Sequence, residues 1–195
     1  MDQNTRIVGR RMRTPLEIFW CGNLNVPRGE KWSFPPQVDR MLREQFDGKS
    51  VLHLFGGHST FGRRLDIDPS TKPDVIGDAW VPPFKRDSFD VVILDPPYPP
   101  YLAMGPSNAI PLLRNAAWLA RETVVWFHPL WISTYKFLRL RHSFLVRVGD
   151  FAGIRCLQFF APTEPKGMPT KDLTGTPAAK YTRWLYQPES LPLSF

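Results

Sequence analysis

The sequence predicts an α/β fold built on a mostly parallel sheet, and two apolar runs carry most of that prediction. Residues 91–94 form a continuous apolar run bounded by polar residues and prolines, as in a strand buried on both faces of a parallel sheet. Residues 50–57 contain the second, a mostly apolar strand that includes His53 and is followed by two glycines. Segments with apolar residues at helical spacing flank these runs, at 38–46 and 108–122.

Length, composition and charge indicate a basic, globular protein of one domain. The chain has 195 residues, 43% of them hydrophobic, which suits a single core. Its formal net charge of +7 favours a polyanionic partner such as nucleic acid. Two cysteines match no metal-ligand spacing and predict reduced thiols in the cytoplasm, with no metal site. No apolar run approaches the roughly 20 residues that span a bilayer, so we expect no membrane association.

The first quarter of the chain predicts a basic segment, a strand and a helix. Residues 1–14 contain four arginines, which could form a phosphate-binding arm or a solvated terminus. Residues 16–24 are apolar and aromatic, as in a short strand. Residues 38–46 follow a helical pattern that Gly48 ends, with Ser33 as the predicted N-cap.

A glycine turn follows the next strand. Phe55 is followed by Gly56 and Gly57, and two glycines there permit positive φ and close approach of the backbone to a ligand. His53 lies within the strand, where we expect a structural role with its side chain pointing off the sheet. The turn is therefore a candidate for binding a small ligand.

The connection after this turn is unusually short. Only residues 58–63 separate it from the next predicted strand, 64–68, whereas a parallel crossover normally needs a dozen or more residues and a helix. The crossover is therefore a turn without a helix, or the second strand is displaced or runs differently. The open side could accommodate another segment or a second subunit, as in a homodimer.

Acidic residues follow the two strands after the glycine turn. Asp68 ends the predicted strand 64–68 and could accept bidentate hydrogen bonds from adjacent hydroxyls, with Asp66 as the alternative on the same side. Asp78 and Ala79 follow a short strand that begins at residue 74. An isolated Gly-Asp is usually a turn, but its place between the glycine turn and the central strand makes Asp78 a candidate ligand residue.

The central strand ends abruptly in Asp95, Pro96, Pro97 and Tyr98. Open α/β sheets bind their ligands outside the carboxyl ends of the strands. The prolines restrict the backbone, so that its carbonyls and the Asp95 carboxylate can be held in place for a substrate, and Tyr98 offers a flat ring for stacking. This tetrapeptide is the main candidate for the reactive site.

The second half of the chain predicts a helix, a strand, a basic helix and a hairpin. The helix covers 108–122 with Ser107 as its N-cap, and the strand covers 123–128 and ends in His128, for which we expect a structural role. Residues 133–142 suggest a basic helix that contacts phosphate or presents a solvated face. The hairpin pairs 144–148 with 154–160, and basic and aromatic residues alternate beyond it, as in single-strand binding or a tail packed on the domain.

Together these motifs resemble the S-adenosylmethionine-dependent amino-methyltransferases with an Asp-Pro-Pro-Tyr motif, which methylate adenine N6 or cytosine N4 in DNA. The order of the pieces carries the resemblance, which covers about residues 32–160. It implies a Rossmann-like class I methyltransferase sheet, mostly parallel with a C-terminal antiparallel hairpin, here with a shortened first crossover. It also implies a single domain with an N-terminal arm at 1–31, a catalytic core at 32–161 and a basic, aromatic tail at 162–195.

The resemblance assigns a role to each candidate residue. For the exocyclic amine and its base, the catalytic residues are Asp95, Pro96, Pro97 and Tyr98. For S-adenosylmethionine, the cofactor-binding residues are Phe34, His53, Phe55, Gly56, Gly57, Asp68, Asp78, Ala79 and Asp95. His53 occupies the position where the family usually has an acidic residue.

Three hypotheses follow for the function. The first is a DNA adenine-N6 methyltransferase, with cytosine N4 as the near neighbour that the same motif serves. The second is an RNA base methyltransferase, because guanine-N2 enzymes of RNA carry similar tetrapeptides and the chain has little room for a recognition domain. The third is an inactive methyltransferase-like subunit that binds nucleic acid, which His53 and the short crossover suggest and the intact Asp95 motif disfavours.

Overall fold

The computed structural model describes residues 16–20, 34–96, 106–129, 131–133, 135–147 and 154–164, with the backbone alone at 16–20 and 106–108. The strands in these ranges are β1 (Leu16–Trp20), β2 (Val51–Leu54), β3 (Arg63–Asp66), β4 (Val75–Ile76), β5 (Phe89–Leu94), β6 (Ala120–His128), β7 (Leu138–Arg147) and β8 (Ile154–Pro162). The helices are α1 (Pro36–Gln45) and α2 (Pro106–Leu119), and Pro69–Thr71 is a 3-10 turn.

The eight described strands form one sheet in the order β1-β7-β8-β6-β5-β2-β3-β4. All neighbouring strands are parallel except where β8 pairs antiparallel with β6 and β7. From β2 the chain proceeds outward through β3 and β4, then returns to β5 on the other side of β2 and proceeds outward through β6. The predicted parallel sheet with a C-terminal antiparallel hairpin is therefore confirmed, and β2 and β5 flank a topological switch point.

Two apolar layers cover the sheet, one on each face. Along β5, Val91 and Ile93 pack in the same cluster as the buried side chains of α1, whereas Val92 and Leu94 pack with those of α2. This alternation is that of a central strand buried on both faces. No helix in the described part of the chain is both long and apolar enough to cross a membrane.

The crossover between β2 and β3 contains no helix. Its eight residues, 55–62, lead from the end of β2 to the start of β3, and β3 pairs in parallel directly beside β2. Gly62 allows this short connection to pack closely against the start of β2. Its φ is +67°, and a Cβ there would lie 2.9 Å from the Cβ of Val51. Of the two possibilities, a turn without a helix is the correct one, and the second strand is neither displaced nor reversed.

The predicted basic helix at 133–142 is wrong. Tyr135 forms an isolated bridge with Leu138, and β7 begins at Leu138 and runs to Arg147. Leu138 is buried, Arg139 and Arg141 are exposed, and Leu140 is partly buried against the core. This alternation has the period of a strand, and pairing with β8 selects it over a helix.

Three predicted boundaries also differ from the structure. Helix α1 begins after Pro35, which makes no side-chain cap, and Ser33 lies outside the described residues. Helix α2 begins at Pro106, so Ser107 lies inside it rather than at its N-cap, and it ends at Leu119 because the next residue already belongs to β6. Strand β3 ends at Asp66, two residues before the predicted end.

A polar clasp joins the amino ends of the central strands, opposite the candidate site. Asp90 Oδ2 accepts hydrogen bonds from Ser50 N (2.9 Å) and Ser50 Oγ (2.7 Å), and Asp90 Oδ1 accepts one from Arg121 Nε (2.8 Å). The clasp therefore ties the residue before β2 to the starts of β5 and β6. The hydrogen bond from Arg121, followed by those from Ser50, lowers the pKa of Asp90 below its ordinary value.

We expect Asp90→Asn to lower the free energy of unfolding at neutral pH. We also expect the variant to lose less of that free energy than the wild-type chain when the pH falls. A lowered pKa means that the unfolded chain takes up this proton more readily, so the clasp stabilises the fold above about pH 4 and loses that effect as pH falls further. Because the carboxylate is partly solvated, we expect about 1 kcal/mol. Urea unfolding at pH 7 and pH 3 measures the difference, and equal losses for the variant at both pH values would contradict it.

Candidate functional site

The candidate site lies at the carboxyl edge of the sheet, at the switch point between β2 and β5. Leu54 pairs with both Leu65 and Leu94, and Leu94 pairs with Trp126, so these strands end at nearly the same level. The residues that follow therefore emerge side by side. Phe55 begins the glycine turn directly after β2, and Asp95 comes directly after β5, the strand beside β2.

The glycine turn has an unusual backbone and is bound to β3. Phe55 has φ of 64° and Gly57 has φ of 47°, so the left-handed region is used at both. Gly56 has another requirement: a Cβ there would lie 2.6 Å from the Cβ of Arg64 and 3.1 Å from its Cα. The turn therefore lies against β3 so closely that only glycine fits. A non-glycine residue at positive φ costs on the order of 1 kcal/mol or more, and such strained residues cluster at functional sites.

Asp66 and Arg64 hold this turn in place from β3. Asp66 Oδ2 accepts a hydrogen bond from Gly57 N at 2.8 Å, and its Oδ1 accepts one from Asp68 N at 2.9 Å. Arg64 Nη1 donates to the carbonyls of Gly57 and Thr71, both at 3.1 Å. The carboxylate and the guanidinium thus connect the glycine turn to the segment that follows β3.

Asp68 lies two residues beyond the end of β3, at the N-cap of the 3-10 turn. Its Oδ1 accepts a hydrogen bond from Ser70 N at 2.8 Å, and its side chain is exposed. The prediction placed it at the strand end, which Asp66 occupies instead. Both carboxylates lie at the same edge as the glycine turn, but Asp66 already accepts a hydrogen bond on each oxygen.

The segment after β4 brings a further carboxylate to this edge. Asp78 Oδ1 accepts a hydrogen bond from Trp80 N at 2.9 Å, and burial raises the pKa of its carboxyl. Asn115, fully buried on α2, donates to the carbonyls of Ala79 (3.2 Å) and Trp80 (2.8 Å). The helix therefore fixes the turn that carries Asp78 and Ala79. The Ala79 side chain in this turn is buried.

His53 and Phe34 lie beneath the edge, on the face covered by α1. His53 is buried, its Nε2 lies 3.3 Å from Ser59 Oγ, and burial lowers its pKa to about 3. The imidazole is therefore neutral at neutral pH, as expected for a structural histidine. The Phe34 ring centroid lies 6.0 Å from that of His53 on β2 and 5.6 Å from that of Phe127 on β6. It thus spans β5 near its carboxyl end.

The structure describes the first half of the Asp-Pro-Pro-Tyr motif. Asp95 is half-buried and Pro96 is buried, directly after β5, whereas Pro97 and Tyr98 lie outside the described residues. On the neighbouring strand, His128 is buried at the end of β6, and burial lowers its pKa to about 4, so it too is neutral at neutral pH. The described half of the motif therefore stands between the glycine turn and β6.

The sequence reasoning missed three residues that organise this region. Arg64 ties the turn to β3, Asn115 fixes the Asp78 turn, and Gln158 on β8 binds the backbone after β6 through hydrogen bonds to Ile132 N (2.8 Å) and O (3.0 Å). The signal for Asn115 and Gln158 was a polar amide within an otherwise buried apolar run. Such a residue must find partners, since a buried amide without hydrogen bonds is costly. No comparable signal marked Arg64.

The fold is similar to that of solved structures of methyltransferase-like proteins. A proposed RNA methyltransferase from Pyrococcus horikoshii matches with a TM-score of 0.52 and 14% identity, over 69% of this chain and 88% of that one. A proposed methyltransferase from Escherichia coli matches with a TM-score of 0.47 and 15% identity, over 68% and 88%. No family model matches the sequence, and no curated protein matches it.

The first of these likenesses, together with the strand order, defines the class of fold. The chain has a Rossmann-like fold similar to that of the Pyrococcus horikoshii protein, with the first crossover reduced to a turn. A fold of this kind hosts many reactions, so the activity has to be argued from the site.

Proposed function

We propose that this chain is an S-adenosylmethionine-dependent methyltransferase that acts on an exocyclic amine of a nucleic-acid base, with adenine N6 of DNA as its first substrate. One observation carries the proposal: the strand register brings the glycine turn and Asp95 side by side at the switch point. A donor held by the glycine turn and an acceptor held by Asp95 would then meet across the gap between two adjacent strands.

The residues on the β2-β3-β4 side fit the polar groups of the cofactor. The ribose hydroxyls and the adenine amino group of S-adenosylmethionine are hydrogen-bond donors and need acceptors. Asp68 and Asp78 each commit one carboxylate oxygen to a backbone N–H, at Ser70 and Trp80, which orients the carboxylate before a ligand arrives. We assign Asp68 to the ribose and Asp78, beside Ala79, to the adenine amino group. Phe34, Phe55, Gly56 and Gly57 would enclose the rest of the cofactor, with the buried His53 supporting them from beneath.

Asp95 and Pro96 would prepare the acceptor. The lone pair of an exocyclic amine is delocalised into its base, which makes the amine a weak nucleophile. Two hydrogen bonds from the NH2 group to the Asp95 carboxylate and the Pro96 carbonyl would localise that lone pair on nitrogen. They would also orient it toward the methyl group of the donor. S-adenosylmethionine, when bound, supplies an electrophilic methyl group on a sulfonium. The remaining contribution of the protein is alignment and fixed electrostatics, and Tyr98 is proposed to stack on the base.

The substrate atom is tested directly by labelled methyl transfer. The full chain is incubated with S-adenosylmethionine carrying a labelled methyl group and with unmethylated double-stranded DNA, single-stranded DNA or RNA, and the products are digested to nucleosides. We expect labelled N6-methyladenine from DNA. Labelled N4-methylcytosine would move the substrate to cytosine, a label in RNA alone would replace DNA, and no label in any base would contradict the proposal.

The roles of the Asp66 and Asp68 carboxylates can be distinguished by substituting each one separately. We expect Asp68→Asn to weaken S-adenosylmethionine binding about tenfold while the thermal unfolding temperature stays within about 2 °C, because its side chain is exposed. We expect Asp66→Asn to lower the free energy of unfolding by about 1–3 kcal/mol, since it holds Gly57 N and Asp68 N. Titration calorimetry and thermal unfolding measure both. Unchanged affinity in Asp68→Asn, with a large loss in a folded Asp66→Asn, would transfer the ribose role to Asp66.

A further inference from the structure

Among the described residues, the carboxyl edge of the sheet has an acidic half and a basic half. Asp66 ends β3, Asp68 lies two residues beyond that end, and Asp78 lies two residues beyond the end of β4. On the opposite side of Asp95, the described residues at this edge, 127–129, 131–133, 146–147 and 154–155, include no Asp or Glu. They include Arg147 at the end of β7 and Arg155 at the start of β8. The acidic half therefore suits hydrogen-bond donors and cations, and the basic half suits a polyanion.

Arg155 is anchored beside the acceptor strand. Its guanidinium carbon lies 5.3 Å from the centroid of the Phe127 ring, in a cation–π arrangement. Phe127 belongs to β6, the immediate neighbour of β5, and lies one position beyond the pair formed by Leu94 and Trp126. Its register is thus level with Asp95. The aromatic face fixes one positive charge close to the acceptor position, which lowers the entropy cost of using it.

An exposed indole lies beyond the end of β6 on a fixed backbone. Trp131 is 43% exposed, so much of its indole ring is accessible to a ligand. The next residue, Ile132, is bound through both its N–H and its carbonyl by the side-chain amide of Gln158, which is fully buried. Gln158 therefore binds the backbone next to the exposed Trp131 as a neighbouring strand would.

We propose that this basic half, defined by Arg147, Arg155 and Trp131, binds the single-stranded nucleic acid that flanks the target base. The two arginines bind phosphates of the strand, and Trp131 stacks on a base beside the target. The inference rests on the proposed function, because that function supplies the nucleic acid and places the target base at Asp95. Basic residues along a groove and an exposed aromatic ring are the two features by which proteins bind single strands without sequence preference.

The test is the salt dependence of oligonucleotide binding. A fluorescein-labelled single-stranded DNA 20-mer is titrated with the full chain at several salt concentrations, and affinity is read from fluorescence anisotropy. We expect Arg147→Gln and Arg155→Gln each to lower the slope of log affinity against log salt by about 0.7. We expect Trp131→Ala to weaken binding about tenfold with the slope unchanged, and Trp131→Phe to restore most of the loss.

The matched controls are Arg139→Gln and Arg141→Gln. These arginines are exposed on the same strand, β7, but in its amino-terminal half, away from Asp95. Each control variant removes the same net charge as a test variant. Because these arginines lie away from the proposed binding surface, their substitution should leave the slope close to that of the wild-type chain. Arg147 is exposed, so its variant remains informative even if Arg155→Gln unfolds. Equal slopes for control and test variants, or no binding of the 20-mer by the wild-type chain, would overturn the inference.

S-adenosylmethionine binding, measured in the same variants, separates this inference from the proposed function. We expect its affinity to be unchanged within about twofold, since the basic half lies away from the acidic half. If the cofactor binds and the test variants bind DNA as the wild-type chain does, the docking surface is wrong and the function stands. If the test variants lose DNA binding but no cofactor binds the wild-type chain, the docking surface stands and the function fails.

Discussion

Asp95→Asn is expected to lower the methyl-transfer rate at least about a hundredfold while S-adenosylmethionine affinity changes by less than about threefold. The substitution keeps the shape of the side chain but replaces an anionic acceptor with a neutral amide, which weakens the hydrogen bond that localises the lone pair of the target amine. Losses of about 10²–10³ in rate are typical when one preorganised electrostatic contact to a reacting group is removed. Single-turnover transfer with a labelled methyl group measures the rate, and titration calorimetry measures the affinity.

The control for this prediction lies near the other end of the same strand. Asp90→Asn makes the same chemical change near the start of β5, whereas Asp95 follows its end. Asp90 belongs to the clasp with Ser50 and Arg121 at the amino edge. The folded Asp90→Asn protein should therefore transfer methyl groups at a rate within a few fold of the wild-type chain. Equal rates for the Asp95 and Asp90 variants would remove Asp95 from the proposed mechanism.

Gly56→Ala is expected to destabilise the chain and to weaken cofactor binding together. The added Cβ would meet the Cβ of Arg64 at 2.6 Å and its Cα at 3.1 Å, and the backbone of β3 cannot easily move away. The turn must then shift outward, which strains the hydrogen bond from Gly57 N to Asp66 and the one from Gly56 N to Leu65 O. We expect a loss of about 1–3 kcal/mol in the free energy of unfolding and about tenfold or more in S-adenosylmethionine affinity.

Gly77→Ala is the matched control for the loss of stability. A Cβ at Gly77 would meet its nearest atom, Leu65 Cδ1, at 3.4 Å, which is an ordinary contact. The same added methyl group should therefore change the free energy of unfolding by no more than about 0.5 kcal/mol. Urea unfolding of the two variants measures the contrast. Equal stability of Gly56→Ala and Gly77→Ala would show that the turn does not depend on its close approach to β3.

The parallel core of the fold could be predicted from the sequence because its strands are buried on both faces. Val91, Val92, Ile93 and Leu94 are almost completely buried, and a continuous apolar run is the pattern that such burial requires. The same reasoning predicted β2 and the carboxyl end of β6. Placing the glycine turn and Asp95 at one edge followed from the fold class, since parallel strands present their carboxyl ends together.

The outer strands were harder to predict because only one face or part of a face decides their conformation. In β7, basic residues at 139, 141 and 142 resembled the polar side of a helix, while the alternation of Leu138 and Leu140 with exposed arginines was the decisive signal. A β-bulge between Leu140 and His142 interrupts that alternation and makes it shorter in the sequence. Pairing with β8, which lies outside any local window, determines the result.

The hydrogen bonds that organise the site could not be predicted from sequence, because their partners are distant in the chain. Asn115 reaches back 35 and 36 residues to the turn that carries Asp78, and Gln158 reaches back 26 residues to Ile132. The assignment of Asp68 to the strand end was wrong for a related reason. Strand β3 ends at Asp66, whose carboxylate accepts a hydrogen bond from the turn after β2, and periodicity along β3 does not contain that information.

The most direct test of the account is a crystal structure of the chain with S-adenosylhomocysteine. The central claim is that the switch point between β2 and β5 holds the methyl donor against Asp95. The account predicts the adenine beside Asp78 and Ala79, the ribose hydroxyls on the carboxylate after β3, and the sulfur next to Asp95. A ligand bound elsewhere on the chain, or bound with its sulfur turned away from the carboxyl end of β5, would contradict it.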